Sequence, residues 1–261
     1  MKVASWNVNS IRVRLPAVLE WLAAEQPDVL CLQEIKVPDE LFPGEVFRER
    51  GYEVAVSGQK TYNGVAIISR YPLVDVLPGF PDYEAEGQKR LLAATVGKVR
   101  LLNTYIPNGA EPASPKFIYK LEFIAELRRY LERLHSPADH LLLVGDFNIA
   151  PEERDVYDAQ AMEGQIGFHP KERAALTELK NWGLEDVFRR HHKERGHYSW
   201  WDYRANAFRR NMGLRIDHIW ATAPMAALSR ECGMVKELRA RPRPSDHIPV
   251  WATFAYEPER D

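Results

Sequence analysis

The stretch that decides the fold is HLLLVGDFNIAP, residues 140–151. Residues 141–144 form a short apolar run, which is typical of a β-strand buried on both faces. Asp146 and Asn148 follow two positions apart, so in an extended chain their side chains point to the same side. Both are also ordinary turn residues, and this stretch alone favours a strand that simply ends in a turn. The alternative is a polar pair at a sheet rim, where open α/β proteins bind ligands.

Apolar runs of strand length recur along the rest of the chain, and about ten strands are predicted. They cover residues 3–8, 29–32, 52–56, 65–68, 91–96, 99–105, 141–144, 197–201, 214–221 and 248–254. Asn63-Gly64 and Gly97-Lys98 each separate two such runs and indicate tight hairpin turns. Part of the sheet structure should therefore be antiparallel, and the sheets should be mixed.

Helical patterns lie between the strands. The clearest places Leu121, Ile124, Leu127, Leu131 and Leu134 on one apolar stripe. Further helices are predicted over residues 10–26, 39–50 and 171–182. Each apolar helix face needs a sheet to cover, and ten strands are too many for one small open sheet. We therefore predict an α/β fold of four layers, with two packed mixed β-sheets flanked by helices, in a single domain over residues 1–261.

The composition is that of an ordinary globular protein, with 261 residues of which 45% are hydrophobic. The first residues lack an apolar leader segment, and no apolar run approaches the roughly 20 residues that span a bilayer. We therefore expect a cytoplasmic protein that does not contact membranes. Cys31 and Cys232 lack the spacing of a structural zinc site, so we expect two buried, reduced thiols.

The formal net charge of −2 argues against a nucleic-acid partner, because such domains are usually basic. The distribution of charge matters more than the sum, since an acidic pocket would offset basic clusters elsewhere. Each cluster taken alone indicates a solvated face. The clusters lie at residues 89–90, 189–193, 204, 209–210, 215 and 239–243.

Polar residues stand at five strand ends or in the turns that follow. Each has an ordinary structural explanation: Asn7 can cap a helix, Asp217 can pair with Arg215, and His247 can be a satisfied core histidine. Five strands that all end in such residues are harder to explain that way, because ligand-facing residues gather at one rim of a layered fold. The set is Asn7, Glu34, Asp146 with Asn148, Asp217, and Asp246 with His247.

The residue types of this set constrain its chemistry. Carboxylate and amide oxygens without thiolates suit Mg²⁺, with Mn²⁺ as a substitute, rather than zinc. A metal that polarises phosphoryl oxygens, a carboxylate that takes a proton from water, and amide and imidazole donors together can hydrolyse a phosphate ester.

At this point the chain resembles the exonuclease III and apurinic/apyrimidinic (AP) endonuclease family of the endonuclease/exonuclease/phosphatase superfamily. The resemblance covers nearly the whole chain, with eight motifs in register. They are SWNVN (5–9), LQEIK (32–36), GQKTYNGVA (58–66), NTYIPNG (103–109), GDFNIAP (145–151), SWWDYR (199–204), GLRID (213–217) and PSDH (244–247). The resemblance implies a DNase I-like fold.

The resemblance also implies a role for each residue of the site. Glu34 would be the principal Mg²⁺ ligand, with Asn7, Asn9 and Asp246 near the metal. Asp146 would activate or orient the attacking water and Asn148 would hold the water or the phosphate. His247, oriented by Asp217, would contact phosphoryl oxygens, and Tyr105 and Asn108 would be further phosphate contacts, although both are also explained by packing or a turn. Ile106 and Asn108 depart from the family pattern, in which an aromatic residue and a glutamine often stand there.

Substrate recognition in the family uses an apolar pocket for a flipped-out, baseless sugar. By motif position, Trp200, Leu214 and Ile216 would line it, although alternation around Arg215 is also ordinary strand packing. Neighbouring Trp200 and Trp201 would face opposite sides, so at most one serves the pocket. Gly167 is small and would leave room for a deoxyribose. Candidate contacts to DNA phosphates are Arg90, Arg204, Arg209, Arg210 and Arg243.

The first hypothesis is therefore a monomeric, Mg²⁺-dependent repair nuclease that acts on double-stranded DNA. It would cut 5′ to abasic sites, leave a 3′-hydroxyl, and also trim blocked 3′ ends as an exonuclease and 3′-phosphatase. The main alternative is a relative specialised in the 3′-end activities, for which residues 162–169 matter because that region varies among relatives. A superfamily branch that cleaves phospholipids shares the polar set but not SWWDYR or GLRID. A damage-binding module without catalysis ranks low, because Glu34, Asp146 and His247 are all present.

Overall fold

The protein is described by a computed structural model that covers residues 1–81 and 87–259. Within these residues the chain forms twelve strands and seven α-helices. The strands are β1 Lys2–Asn7, β2 Val29–Gln33, β3 Glu53–Ser57, β4 Val65–Ser69, β5 Val74–Pro78, β6 Leu91–Val96, β7 Val99–Tyr105, β8 Leu141–Asp146, β9 Leu184–Asp186, β10 Asp217–Thr222, β11 Ser229–Met234 and β12 Val250–Phe254. The helices are α1 Ile11–Glu25, α2 Gly44–Arg48, α3 Pro115–Leu134, α4 Ala159–Met162, α5 Pro170–Asn181, α6 Val187–His191 and α7 Ala223–Leu228.

The strands form two six-stranded mixed sheets, in the orders β11-β12-β1-β2-β4-β3 and β5-β6-β7-β8-β10-β9. Strands β1 and β2 are parallel, as are β7 and β8, and the remaining pairs are antiparallel. One apolar core lies between the sheets and draws on both, for example Ile67 and Val144. A second packs α3 and α5 on the outer face of one sheet, and a third packs α1 on the other. The predicted four-layer fold is confirmed.

The longest helix, α3, shows how its sequence sets its limits. The Ser114 hydroxyl accepts a hydrogen bond from the Phe117 amide and caps the first turn, and Pro115 follows where its missing amide proton costs nothing. Ile124, Leu127 and Leu131 are buried as predicted. Leu134 was expected on the same stripe, but it is the last residue of α3 and is 49% exposed.

Several sequence predictions were wrong in detail. Residues 197–201 form no strand, because Trp200 makes only isolated bridges, to Leu214 and to His247. The strand expected from residue 214 begins at Asp217. The helix expected over residues 39–50 is divided at Pro43 into a 3₁₀ turn and the short α2, and residues 58–64 form a seven-residue loop rather than a two-residue turn.

Three strands were missed because they lack the apolar signal. Strand β5 is an exposed edge, β9 has three residues, and β11 reads SRECGM. By contrast, the tight turn at Gly97-Lys98 is confirmed, since Val96 pairs with Val99. No helix among the described residues is both long enough and apolar enough to traverse a bilayer. Cys31 and Cys232 are both buried, free thiols.

Strand register brings the polar ends together. In the parallel pair β7 and β8, Tyr105 lies opposite Asp146, and in the antiparallel pair β8 and β10, Asp217 lies on the other side of Asp146. In the facing sheet, parallel pairing of β1 with β2 places Asn7 opposite Gln33, directly before Glu34. The rim predicted from sequence is thus formed by both sheets.

Candidate active site

The centre of the rim is a group of three potential metal ligands. Glu34, Asp146 and His247 each offer one ligand atom, and these atoms lie within 4.8 Å of one another. Glu34 has a positive φ of 50°, which turns the chain sharply as it leaves β2. Its two carboxylates, with no thiolate beside them, fit a hard divalent cation such as Mg²⁺ or Mn²⁺.

Asn7 connects the two carboxylates. Its Nδ2 donates to Glu34 Oε1 at 2.8 Å and to Asp146 Oδ2 at 2.9 Å, while its Oδ1 accepts from the Asn9 amide. Asn7 was expected near the metal, and in the structure its amide nitrogen orients both carboxylates. Its oxygen is engaged by the backbone amide of Asn9.

Asn9 and Asp246 form the outer part of the rim. Asn9 Nδ2 donates to Asp246 Oδ1 at 3.0 Å, and Trp200 Nε1 donates to Asp246 Oδ2 at 3.0 Å. Asp246, which was expected near the metal, lies outside the three-residue ligand group. Its carboxylate connects Asn9 of the rim to Trp200 of the cavity wall.

Lys36 is a functional residue that sequence reasoning missed, although it lies inside the quoted LQEIK motif. Its ammonium is 2.8 Å from Glu34 Oε2 and also donates to Asn9 Oδ1. Burial raises the pKa of Glu34, but the charge of Lys36 and hydrogen bonds from Asn7 and Lys36 outweigh burial and hold that pKa below its ordinary value. Glu34 is therefore ionised and ready to bind a cation.

His247 lies between two buried carboxyl groups. Its Nδ1 is 2.9 Å from Asp217 Oδ2, and its Nε2 is 3.7 Å from Asp146 Oδ2. Burial lowers the pKa of His247, but Asp217 and Asp146 raise it further, so the net direction is upward and the imidazolium is favoured. Burial also raises the pKa of Asp146, and the charge of His247 opposes this. A divalent cation held by Glu34 would oppose the upward shift in the pKa of Asp146 as well.

Asn148 fixes Asp146 through its backbone amide and through its side chain, whose Nδ2 donates to Asp146 Oδ2 at 3.2 Å. Its backbone amide donates to Asp146 Oδ1 at 2.8 Å, and its Nδ2 donates to the Ile106 carbonyl at 2.9 Å. Its φ of 52° is the left-handed conformation that asparagine tolerates better than most residues. Asn108, placed near the phosphate by the resemblance, donates from Nδ2 to Asn148 Oδ1 at 3.1 Å.

A buried lysine supports both of these loops. Lys120 on α3 is fully buried, pairs with Glu172 of α5, and donates to the carbonyls of Asn108 at 3.0 Å and Asn148 at 2.8 Å. The sequence did not indicate a role for Lys120, because a lysine within an amphipathic helix is usually exposed to solvent. Its contacts are all long-range and leave no local signal.

Tyr105 ends β7 beside the carboxylates. Burial raises the pKa of its phenol, and Glu34 and Asp146 raise that pKa further, so the hydroxyl remains a proton donor. Arg90, a predicted DNA contact, has its guanidinium carbon 4.7 Å from the centre of the Tyr105 ring and donates to the Tyr105 carbonyl at 3.3 Å. Arg90 therefore also positions the tyrosine.

A cavity of about 570 Å³ opens beside this rim. The predicted pocket residues Trp200, Leu214 and Ile216 all line it, whereas Trp201 is fully buried in the core. Gly167 lines the same cavity, and a Cβ added there would lie 3.6 Å from Leu214 Cδ1. Further lining residues are Glu34, Tyr105, Asn108, Asn148, Tyr157, Met162, Ile166, Asp202, Arg204, Asp246 and His247. An apolar wall thus meets the polar rim within one cavity.

The basic clusters divide into two groups. The side chain of Arg204 is 91% exposed at the cavity mouth, and Arg209, Arg210 and Arg243 are also exposed. The expectation of a solvated face was wrong for other members of these clusters: Arg189, Arg215 and Arg239 are buried. Arg215 pairs with Asp155 and Asp186. An Arg215–Asp217 pair, the ordinary structural explanation offered for Asp217, therefore does not form.

Comparison with known proteins agrees with this geometry. The family model described as "Endonuclease/Exonuclease/phosphatase family" matches residues 4–247, which is most of the chain. The chain belongs to the endonuclease/exonuclease/phosphatase family. It is 39% identical to exodeoxyribonuclease III of Haemophilus influenzae, an alignment that covers 97% of this chain and 100% of that relative.

Solved structures of this family superpose closely. A 3′-5′ exonuclease from Neisseria meningitidis is 44% identical with a TM-score of 0.94, and an AP endonuclease from Archaeoglobus fulgidus is 38% identical with the same score of 0.94. Both alignments cover 98% of this chain and 100% of the other. A Neisseria 3′-phosphatase bound to a product DNA hairpin is 43% identical, with a TM-score of 0.94 and the same coverage of both chains. The fold is therefore DNase I-like, and the protein is a nuclease of the exonuclease III type that hydrolyses phosphoester bonds.

Proposed function

We propose that the protein is a Mg²⁺-dependent DNA repair nuclease that cuts double-stranded DNA 5′ to an abasic site and leaves a 3′-hydroxyl. We further propose that it acts as a monomer and removes blocking groups from 3′ ends at the same site. The observation that carries this proposal is the apolar wall of Gly167, Leu214 and Ile216 in the same cavity as Glu34 and His247 of the polar rim. Such a wall suits a baseless deoxyribose, which has no base to be accommodated.

Each side chain of the rim has a part in the reaction. Bound Mg²⁺, with Glu34 as its principal ligand, would supply Lewis-acid polarisation of a phosphoryl oxygen. Asp146, fixed by Asn7 and Asn148, is placed to accept a proton from attacking water. His247, kept protonated by Asp217, is placed to donate from Nε2 to the charge that develops on the phosphoryl group.

Tyr105 and the exposed arginines complete the substrate contacts. The Tyr105 phenol would donate to a phosphate oxygen. Arg204, Arg209, Arg210 and Arg243 would contact the DNA backbone, so binding should weaken steeply as salt rises. The substrate is DNA rather than a phospholipid in this proposal, because the Haemophilus relative is an exodeoxyribonuclease and a Neisseria relative was solved with a product DNA hairpin.

The second candidate function is specialisation in 3′-end processing, which the Neisseria exonuclease and 3′-phosphatase structures favour. Gly167 argues for the abasic endonuclease. The cavity at Gly167 is bounded by Asn148 O and Leu214 Cδ1, each 3.6 Å from an added Cβ, so any longer side chain would enter the space proposed for the sugar.

The experiment compares two end-labelled DNA duplexes, one with an internal tetrahydrofuran abasic analogue and one with a 3′-phosphate. The wild type, in Mg²⁺ and in EDTA, is tested beside Asp146→Asn. We expect a single Mg²⁺-dependent incision 5′ to the lesion, lost by orders of magnitude in Asp146→Asn. A ladder from the 3′ end without incision would assign the protein to 3′-end processing, and binding without cleavage would contradict catalysis.

A glycine variant tests the pocket itself. In Gly167→Asn, asparagine tolerates the φ of 84°, and its side chain extends from the cavity wall into the space proposed for the sugar. Abasic incision should therefore fall about 10–200-fold, while 3′-phosphate removal persists. Gly164→Asn is the matched control, because Gly164 has a φ of 78° but no atom within 4 Å of an added Cβ. Equal incision by both variants would place the abasic sugar elsewhere.

A further inference from the structure

A second group of metal-ligating side chains lies outside the active site. His192, Glu194 and His197 each offer one ligand atom, and these atoms lie within 4.8 Å of one another. All three belong to the segment that follows α6 and leads to Ser199 and Trp200. Among the described residues, this group and the Glu34 group are the two clusters of this kind.

The two imidazoles are held in place by a shared aromatic ring. The His192 ring stacks on Phe188 with centroids 4.5 Å apart, and the His197 ring meets Phe188 edge-on at 5.3 Å. Phe188 itself is 7% exposed and belongs to the core between the sheets. Little side-chain ordering is therefore needed for both imidazoles to bind one ion.

The hydrogen bond of His192 fixes which of its nitrogens can bind a metal. Its Nε2 is 3.1 Å from the Cys232 carbonyl of β11, which can only accept, so Nε2 carries the proton. In the neutral ring Nδ1 then presents a lone pair, and it faces Glu194 Oε1 at 3.4 Å. A metal ion between these two acceptors would bind both. A ligating histidine whose other nitrogen donates to a carbonyl is the usual arrangement around protein-bound metals.

The spacing suits a tetrahedral ion. With metal-to-ligand bonds of about 2.0–2.2 Å, the edge between two ligand atoms of a tetrahedron is about 3.4 Å. The separation of His192 Nδ1 and Glu194 Oε1 is 3.4 Å, and that of His197 Nε2 and Glu194 Oε1 is 2.8 Å. The second edge must lengthen as the metal replaces the present hydrogen bond between His197 Nε2 and Glu194 Oε1, and Glu194 is an exposed side chain that can move.

The charge of the three ligands themselves suits a dication, because with neutral imidazoles they carry one negative charge. Arg189 pairs with Asp155, and its guanidinium also donates to the backbone carbonyls of His192 at 3.2 Å and Glu194 at 2.7 Å. Lys193 donates to the Arg189 carbonyl, and Lys236 donates to Asn211.

We propose that His192, Glu194 and His197 bind a divalent transition metal of the Zn²⁺ class, with water in the fourth position. Two imidazoles and one carboxylate are ligands for such an ion, whereas Mg²⁺ prefers an all-oxygen set. The ion would join the end of α6 to the segment that carries Ser199 and Trp200. Ser199 Oγ accepts from the amides of Ile216 and Asp217, so this second site would stabilise a wall of the active-site cavity.

The test is a calorimetric titration of the full-length protein with Zn²⁺, with Mg²⁺ in excess to occupy the active site. We expect one equivalent of Zn²⁺ to bind, with affinity reduced about 10–100-fold or more in His192→Ala and in His197→Gln. His191→Ala is the matched control, because His191 is adjacent but contacts Ser229 instead, and it should bind Zn²⁺ like the wild type. Thermal unfolding is the second readout: Zn²⁺ should raise the Tm of the wild type and of His191→Ala only.

Two results would overturn the proposal. One is the absence of Zn²⁺ binding by the wild type under these conditions. The other is unchanged binding in both His192→Ala and His197→Gln, which would assign the ion to the active site. If His192→Ala alone unfolds, His197→Gln decides the question, since the His197 side chain is 37% exposed and its loss leaves the core intact.

Discussion

Replacing Arg215 with methionine should destabilise the protein strongly. The guanidinium is fully buried, donates from Nε to Asp155 Oδ1 at 2.6 Å, and donates from Nη2 to Asp186 Oδ2 at 2.7 Å. Methionine has similar length but leaves both carboxylates without this partner. Removing one partner of a buried ion pair costs about 3–5 kcal/mol of unfolding free energy, and Arg189, which still pairs with Asp155, favours the lower part of that range.

Arg215 also supports the catalytic loop. Its Nη1 is 3.0 Å from His218 Nδ1, and His218 Nε2 is 3.0 Å from the Ile149 carbonyl, one residue beyond Asn148. Burial and the charge of Arg215 lower the pKa of His218 to about 4, so the ring is neutral and donates from Nε2 to Ile149. The variant should therefore also lose part of its kcat.

The assay is urea-induced unfolding followed by tryptophan fluorescence, with the midpoint and slope compared between variants. Arg190→Met is the matched control. Arg190 pairs with Glu185 at 3.0 Å, but the two side chains are 44% and 45% exposed, and such surface pairs contribute about 0–1 kcal/mol. The reasoning is refuted if Arg215→Met costs no more than Arg190→Met.

Three further predictions concern acid stability, catalysis and thiol reactivity. Although burial opposes the shift, Arg215 lowers the pKa of Asp155 from 3.8 to about 2, so a contribution of about 2 kcal/mol is present above pH 4 and is lost as pH falls toward 2. Unfolding free energies measured from pH 5 to pH 2 should show this loss, and a flat profile would contradict it. In Asp217→Asn the neutral amide no longer stabilises the His247 imidazolium. The kcat on the abasic duplex should therefore fall about 10²–10⁴-fold, with little change in KM. An unchanged kcat in steady-state assays would show that Asp217 has no part in the mechanism. Burial raises the pKa of Cys232 to about 12 and that of Cys31 further, so both thiols should react with Ellman's reagent only after denaturation, and rapid labelling of the native protein would argue otherwise.

The sequence by itself determined the layered α/β architecture and the composition of the rim. Apolar runs such as residues 65–68 and 141–144 are strands because they are buried on both faces, and that signal is local. Polar residues directly after such runs, at Glu34 and Asp146, stand out for the same reason. Strands with exposed or polar residues, such as β5 and β11, carry no such signal and were missed.

Only the tertiary structure decided which side chains of the rim contact one another. Asn7 touches Glu34 and Asp146 through the same amide nitrogen, at sequence separations of 27 and 139. Lys120 donates to the loops of Asn108 and Asn148, although its helix was expected to expose its polar face. Arg215 is buried, although the basic residues of its segment indicated a solvated face. These contacts depend on which strands of the two sheets lie side by side, because pairing register, rather than local residue preference, determines which distant side chains meet.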